Sequence, residues 1–284
     1  MMKMNIKRYV VGFIMLLAFA FGISSPVCAA SRSASVTARV NNKENNKCLK
    51  ELNALRKKKG LPALKIDKTL QKAAELRAAE LTVRYSHERP NGKMPVSITK
   101  KVAAENIAMG FGHAEDVCEA WKNSPGHYRN MVHTDMKSIG ICCLEYQGSK
   151  YWVNVFGKER AKTVKLSGTK TKTFKVSIAD KFLRPSRISL IGSQTMSSGE
   201  KRTLRISVSY PDDEPRGLLP NSFFTFKSSN PRVLKVNKQG VVTSVREGTA
   251  KITVQSKKYK KLKKSFRITV EDGSGLVYRD YSDD

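Results

Sequence analysis

The chain has 284 residues and 31.7 kDa, with 40% hydrophobic and 27% charged side chains, enough to bury one large core or two ordinary ones. That balance excludes a disordered tail, and 18 glycines and 10 prolines exclude collagen-like and low-complexity architectures. The formal net charge of +29, from 53 basic and 24 acidic residues, points to polyanionic surroundings.

The N-terminus sets the compartment. Lys3, Lys7 and Arg8 form a positive head, Tyr9 to Ile23 is a 15-residue run without charge, and Ser24 to Ala30 is rich in small residues. A membrane span needs about 20 apolar residues, so residues 1–30 read as a secretory signal peptide cut after Ala29 or Ala30. Ser-Pro-Val before Cys28 is a poor lipobox, and no later stretch suits a membrane span. The exported protein keeps +26 of the charge. Outside a cell, nucleic acid is not an expected partner. Anionic cell-wall polymers, glycans or lipid headgroups are, with the protein released or held non-covalently at the cell surface. Four cysteines remain after cleavage, Cys48, Cys118, Cys142 and Cys143, and an even number in an exported chain permits two disulfides of open connectivity. Cys142 and Cys143 are adjacent and should face opposite sides of a strand.

Residues 31–46 are rich in Ser, Asn and Lys and read as a flexible lead-in. Cys48, Leu52 and Leu55 then recur at helical spacing, with Gly60 as the stop. Asp67 caps a second predicted helix whose apolar positions include Leu70, Ala73, Ala74 and Leu81. A third spans about 114–123, and Ser124-Pro125 opens a fourth. From Ile139 to Phe156 the period changes to two around Gln147-Gly148, which predicts a hairpin. Helices followed by strands indicate α+β. Residues 158–186 form a basic, Thr-rich linker, with Thr163–Leu166 and Thr173–Ile178 as short strands that either build a linker hairpin or extend the first domain. Residues 187–271 alternate in short runs separated by turn signals, the pattern of an all-β sandwich, and residues 272–284 are an acidic tail. Six lysines, Lys257, Lys258, Lys260, Lys261, Lys263 and Lys264, crowd a predicted hairpin tip, a candidate polyanion contact.

The chemistry available is sparse. His87 follows the second helix, Glu105 lies in Ala-Ala-Glu-Asn-Ile-Ala, and His127 opens the fourth helix. Two histidines and a carboxylate converging in a cleft suit zinc with an open position, or acid–base work, although no H-E-x-x-H motif is present. His113 and His133 read as surface residues, and Trp121, Tyr151, Trp152 and Phe156 as core.

At these residues the chain resembles the CAP superfamily (cysteine-rich secretory, antigen 5, pathogenesis-related 1) in its bacterial SCP-like form. The stretches that carry the likeness run in order over 47–157: Leu52-Asn53-x-x-Arg56, Ala74-x-x-Arg77-Ala78-x-Glu80-Leu81, Ser86-His87-x-Arg89-Pro90-x-Gly92, Ala104-Glu105-Asn106-Ile107-Ala108, Trp121-x-x-Ser124-Pro125-Gly126-His127 and Tyr151-Trp152-x-x-x-Phe156-Gly157. The resemblance implies an α-β-α sandwich with a cleft lined by His87, Glu105, Ser124 and His127. Ser124 stands where many relatives carry a second glutamate, which weakens a two-carboxylate mechanism. It also implies that Zn²⁺ or another divalent cation can sit between His87 and His127. Residues 187–271 resemble bacterial Ig-like group 2 domains through Ser198-Gly199-Glu200, Phe226-Lys227-Ser228-Ser229-Asn230-Pro231 and Gly248-Thr249-Ala250. The favoured expectation is an exported, non-enzymatic binding protein, its cleft taking a lipid, peptide or divalent cation. The alternative is a metal-dependent extracellular hydrolase with His87 and His127 as ligands and Glu105 as base.

Overall fold

The computed structural model describes residues 9–11, 32–210 and 217–272, which fall into two compact units divided at Asp180. The acidic tail beyond Asp272 and most of the signal segment lie outside the described residues.

The first unit contains β1 (Tyr9–Val11), β2 (Arg32–Asn41), α1 (Asn42–Lys58), β3 (Lys65–Ile66), α2 (Lys68–Val83), β4 (Ala104–Met109), α3 (Ala114–Lys122), α4 (Pro125–Val132), β5 (Ser138–Tyr146), β6 (Ser149–Gly157) and β7 (Thr169–Ile178). The sheet order is β1-β4-β6-β5-β2-β7, with β3 beside β5. Asn41 caps α1 by accepting from the Glu44 N–H, and Asp67 caps α2 by accepting from Thr69 and Leu70. Gly60, at φ +68, allows the chain to turn out of α1. Gln147 and Gly148, both at positive φ, close the two-residue turn between β5 and β6.

Helices cover both faces of the sheet. Ile139, Ile141 and Cys143 of β5 and Trp152 and Phe156 of β6 share one core with Cys48 and Leu52 of α1, Val117, Cys118 and Trp121 of α3 and Met131 of α4. On the other face α2 lies directly on β5: a Cβ at Gly140 would stand 2.1 Å from the Leu70 carbonyl oxygen, so only glycine allows that approach. This is an α-β-α sandwich. β2 pairs with β5 only at Arg39 and Val40. Below that point Gln71 exchanges hydrogen bonds with the Ile141 backbone, and the Asn45 side chain accepts from the Cys143 N–H. Side chains thus complete the edge of β5 where the neighbouring strand diverges.

Three expectations need correction. Residues 31–46 are not a flexible lead-in: β2 and the first turn of α1 occupy them. Ala34, Val36, Ala38 and Val40 are buried, while Ser33, Ser35, Thr37 and Arg39 face outward. Half of a one-sided strand is polar, so composition alone reads as loop. The linker 158–186 likewise contains β7, which pairs with β2 over ten residues and so extends the first unit. Finally, all four described cysteines are free, buried thiols. Cys142 and Cys143 do face opposite sides, which separates them. The Cys48 and Cys118 sulfurs meet at 3.4 Å as a hydrogen-bonded pair.

The second unit is mostly β: β8 (Arg187–Ile191), β9 (Thr195–Ser197), β10 (Lys201–Thr203), β11 (Arg205–Ser209), β12 (Gly217–Leu218), β13 (Phe224–Ser228), β14 (Leu234–Val236), β15 (Val241–Ser244), β16 (Gly248–Ser256) and β17 (Lys263–Glu271). They form sheets ordered β10-β15-β14, β12-β11-β8 and β13-β16-β17-β9. Leu204, Ile206, Val208, Phe224, Leu234, Val242, Ile252, Val254 and Ile268 are buried between them, as in a sandwich.

Candidate functional site

A chain of alternating charges runs from α2 to β4 and ends at a small recess. Arg77, with no side-chain exposure, donates from Nε to Glu105 Oε2 (2.7 Å) and from Nη2 to Glu105 Oε1 (3.2 Å). Its Nη1 reaches Glu80 Oε2 (3.2 Å), and Nη2 also donates to the Ser86 carbonyl (2.7 Å). Glu80 in turn accepts from Arg89 (2.7 Å). At the far end His87 Nδ1 lies 2.9 Å from Glu105 Oε1. The Glu105 carboxylate only accepts, so His87 Nδ1 carries the proton.

Burial pushes the Glu105 carboxyl up, but the Arg77 charge and the His87 hydrogen bond outweigh it and hold Glu105 below the usual carboxylate range. It is therefore an anion fixed by a bidentate guanidinium, with both oxygens engaged.

The loop after α2 builds the rim. Arg89 anchors it through Glu80 and through Ser97 Oγ (2.8 Å), and Gly92 turns it at φ +81. This places Met94, Pro95 and Val96 beside His87 and Glu105, where Val102 and Ala104 complete the recess. Met94 and Val96 are 36% and 37% exposed, an apolar lip next to a charged floor.

The other two predicted cleft residues, Ser124 and His127, are hydrogen-bonded to each other. His127 is wholly buried on α4, its Nδ1 2.9 Å from Ser124 Oγ, with the Trp121 ring 6.3 Å away. Ser124 stands at the N-cap position as expected, but its hydroxyl serves His127 and not a backbone N–H. Asn106, next to Glu105 on β4, links the pairs: its Nδ2 donates to the His127 carbonyl (3.1 Å), and its Oδ1 accepts from Asn130 (2.8 Å). Arg56 fixes the far end of α4, donating to the Met131, His133 and Met136 carbonyls from within the core.

Among the described residues no group of three or more His, Cys, Asp or Glu side chains is placed to hold a metal ion. The zinc that the resemblance implies would be held by His87 and His127; Glu105, with both oxygens committed to Arg77 and His87, is not a further ligand to it.

Of the predicted polyanion contact, residues 257–262 form the turn between β16 and β17. Lys263 and Lys264 open β17 itself, and alternation sends them to opposite sides. Arg184 stacks on the Tyr259 ring within this turn, 5.4 Å from its centroid.

Comparison with known proteins identifies two regions of the chain. Residues 49–156 match the cysteine-rich secretory protein family, and residues 223–260 match the bacterial Ig-like domain. The chain carries a CAP domain followed by a bacterial Ig-like domain. The chain is 35% identical over 114 residues to YkwD, an uncharacterized protein of Bacillus subtilis. That match covers 37% of this chain and 44% of YkwD, so the chain spans less than half of its curated relative. Solved structures similar to this chain include an outer surface protein from Borrelia burgdorferi (27% identity, TM-score 0.36, covering 44% of this chain and 100% of that one). Another is an extracellular protein containing an SCP domain from Bacillus anthracis (18% identity, TM-score 0.36, covering 42% and 41%).

The residues that sequence reasoning did not assign to the site are Arg77, Glu80 and Asn106. The available signal was Arg77 itself, which falls on the apolar stripe of α2 between Ala74 and Leu81 and so had to be buried with a partner.

Proposed function

We propose that the protein is an exported, non-catalytic binding protein. Its CAP recess takes an amphipathic ligand, a lipid or peptide, and its basic Ig-like domain keeps it at an anionic envelope or host surface. The observation that carries this reading is the state of Glu105. A general base must receive a proton near the working pH. Glu105 is instead held low by Arg77 and shares an oxygen with His87. Its geometry suits a fixed charge that orients His87 toward a bound polar group, while Met94 and Val96 offer an apolar lip for the rest of the ligand. The charged head at residues 3–8 and the apolar run that follows support export. No described helix is long and apolar enough to cross a membrane.

Titration calorimetry of a long-chain fatty acid into the full exported chain tests the ligand class. Binding is expected for the wild type and a loss of about tenfold or more for Met94→Asp, which puts a charge on the apolar lip. Two results would overturn the reading. One is zinc uptake by metal-stripped protein that disappears in His87→Ala/His127→Ala. The other is chelator-sensitive hydrolysis of a peptide or ester lost in the same variant.

A further inference from the structure

One side of the β13-β16-β17-β9 sheet carries a charge arrangement that sheet physics disfavours. Lys251 of β16 and Arg267 of β17 stand directly opposite each other in the antiparallel ladder, both exposed, on the side away from the buried Ile252 and Ile268. Like charges directly opposite destabilise a strand pair. Two more cations flank them on the same side. Lys227 of β13 lies opposite Thr253, and Lys263 of β17 lies opposite Gln255. Between the cations, the Thr253 and Ser265 hydroxyls hydrogen-bond at 2.9 Å, and no bulky apolar side chain interrupts this polar strip. Glu271 is the carboxylate among the outward positions of β13, β16 and β17, at the end of β17 and about 13 Å along the strand from Arg267. Among the described residues no ion pair joins any of the four cations to a carboxylate.

We propose that this face is a docking surface for a linear polyanion, with Lys251 and Arg267 at its centre and the lysine-rich turn as its continuation. The proposal rests on the reading that the Ig-like domain meets an anionic polymer, and it adds which surface does so. Outward positions recur about every 7 Å along a strand, so a polymer lying along β17 meets cations at Arg267 and Lys263, about 13 Å apart. An anionic group seated between Lys251 and Arg267 relieves the repulsion that the free protein bears, and whichever of Thr253 and Ser265 accepts in their mutual hydrogen bond keeps an O–H to donate to its oxygens.

The test uses the full exported chain on immobilised long-chain polyphosphate and, separately, on immobilised hyaluronan, with the eluting salt concentration as the readout. Lys251→Glu makes an opposite-charge pair with Arg267. It is expected to melt higher than the wild type and to elute at lower salt, with affinity down about tenfold. A drop on polyphosphate alone identifies a phosphate polymer, and a drop on both resins identifies anionic charge of either source. Lys227→Ala, which creates no new pair, repeats the binding arm should Lys251→Glu fail to fold. Wild-type elution by both variants, alongside loss of retention in Lys260→Glu/Lys261→Glu, overturns the face and leaves the turn as the contact. Elution of the wild type at low salt from both resins overturns the underlying reading, and this inference with it.

Discussion

Arg77 holds together α2, the loop that follows it and β4. It joins α2 to β4 through Glu105 and to the loop after α2 through Ser86. Breaking a buried pair by removing one partner leaves the other charge uncompensated, at a cost of roughly 3–5 kcal/mol. Arg77→Ala leaves the buried Glu105 without its guanidinium, while Glu80 keeps Arg89. Chemical denaturation should show a loss of about that size, where an exposed arginine would cost under about 1 kcal/mol. A loss that small would mean that Glu105 is held by something other than Arg77. The sequence made His87, Glu105 and His127 visible as candidates because few other residues offered that chemistry. It did not show that His87 pairs with Glu105 while His127 pairs with Ser124, because loop geometry between α2 and β4 decides that. Arg77 was legible as a buried cation from the stripe it sits on, but its partner, 28 residues away, was not.

Elements with strong local signals were readable in advance. The Asp67 cap, the Gly60 stop, the Ser124-Pro125 start and the Gln147-Gly148 turn each act within a few residues, and each is found where expected. β2 was obscured because its outward Ser and Thr positions dominate its composition, although the strict alternation Ala34, Val36, Ala38, Val40 was present. β7 was legible over Thr173–Ile178 from its alternation, while its start at Thr169 and its pairing with β2 depend on a partner far away in sequence. Val36 is fully buried on this strand. Val36→Asp therefore places a carboxylate in the core and should lower stability by about 3 kcal/mol or more. Thermal melting of the exported chain would check it, and a melting temperature within a degree of the wild type would restore the flexible reading of residues 31–46.

On the scale of the whole molecule, the two units divide the chemistry. The four histidines and the four described cysteines all lie in the CAP-containing unit, and the Ig-like unit adds cations. The charge excess was plain from composition. Its arrangement on one sheet face follows from strand register, which composition does not encode. The proposed binding role requires that Glu105 be a permanent anion. A carboxyl held low contributes stability above the ordinary glutamate pKa of about 4.3. That contribution is lost as pH falls through the lowered folded value. The most direct measurement is a carboxyl carbon-13 NMR titration of Glu105 in residues 31–284, assigned by comparison with Glu105→Gln. A titration midpoint below the ordinary glutamate value is the predicted result. A midpoint raised toward neutrality, where a general base operates, would contradict the binding assignment and restore the hydrolase.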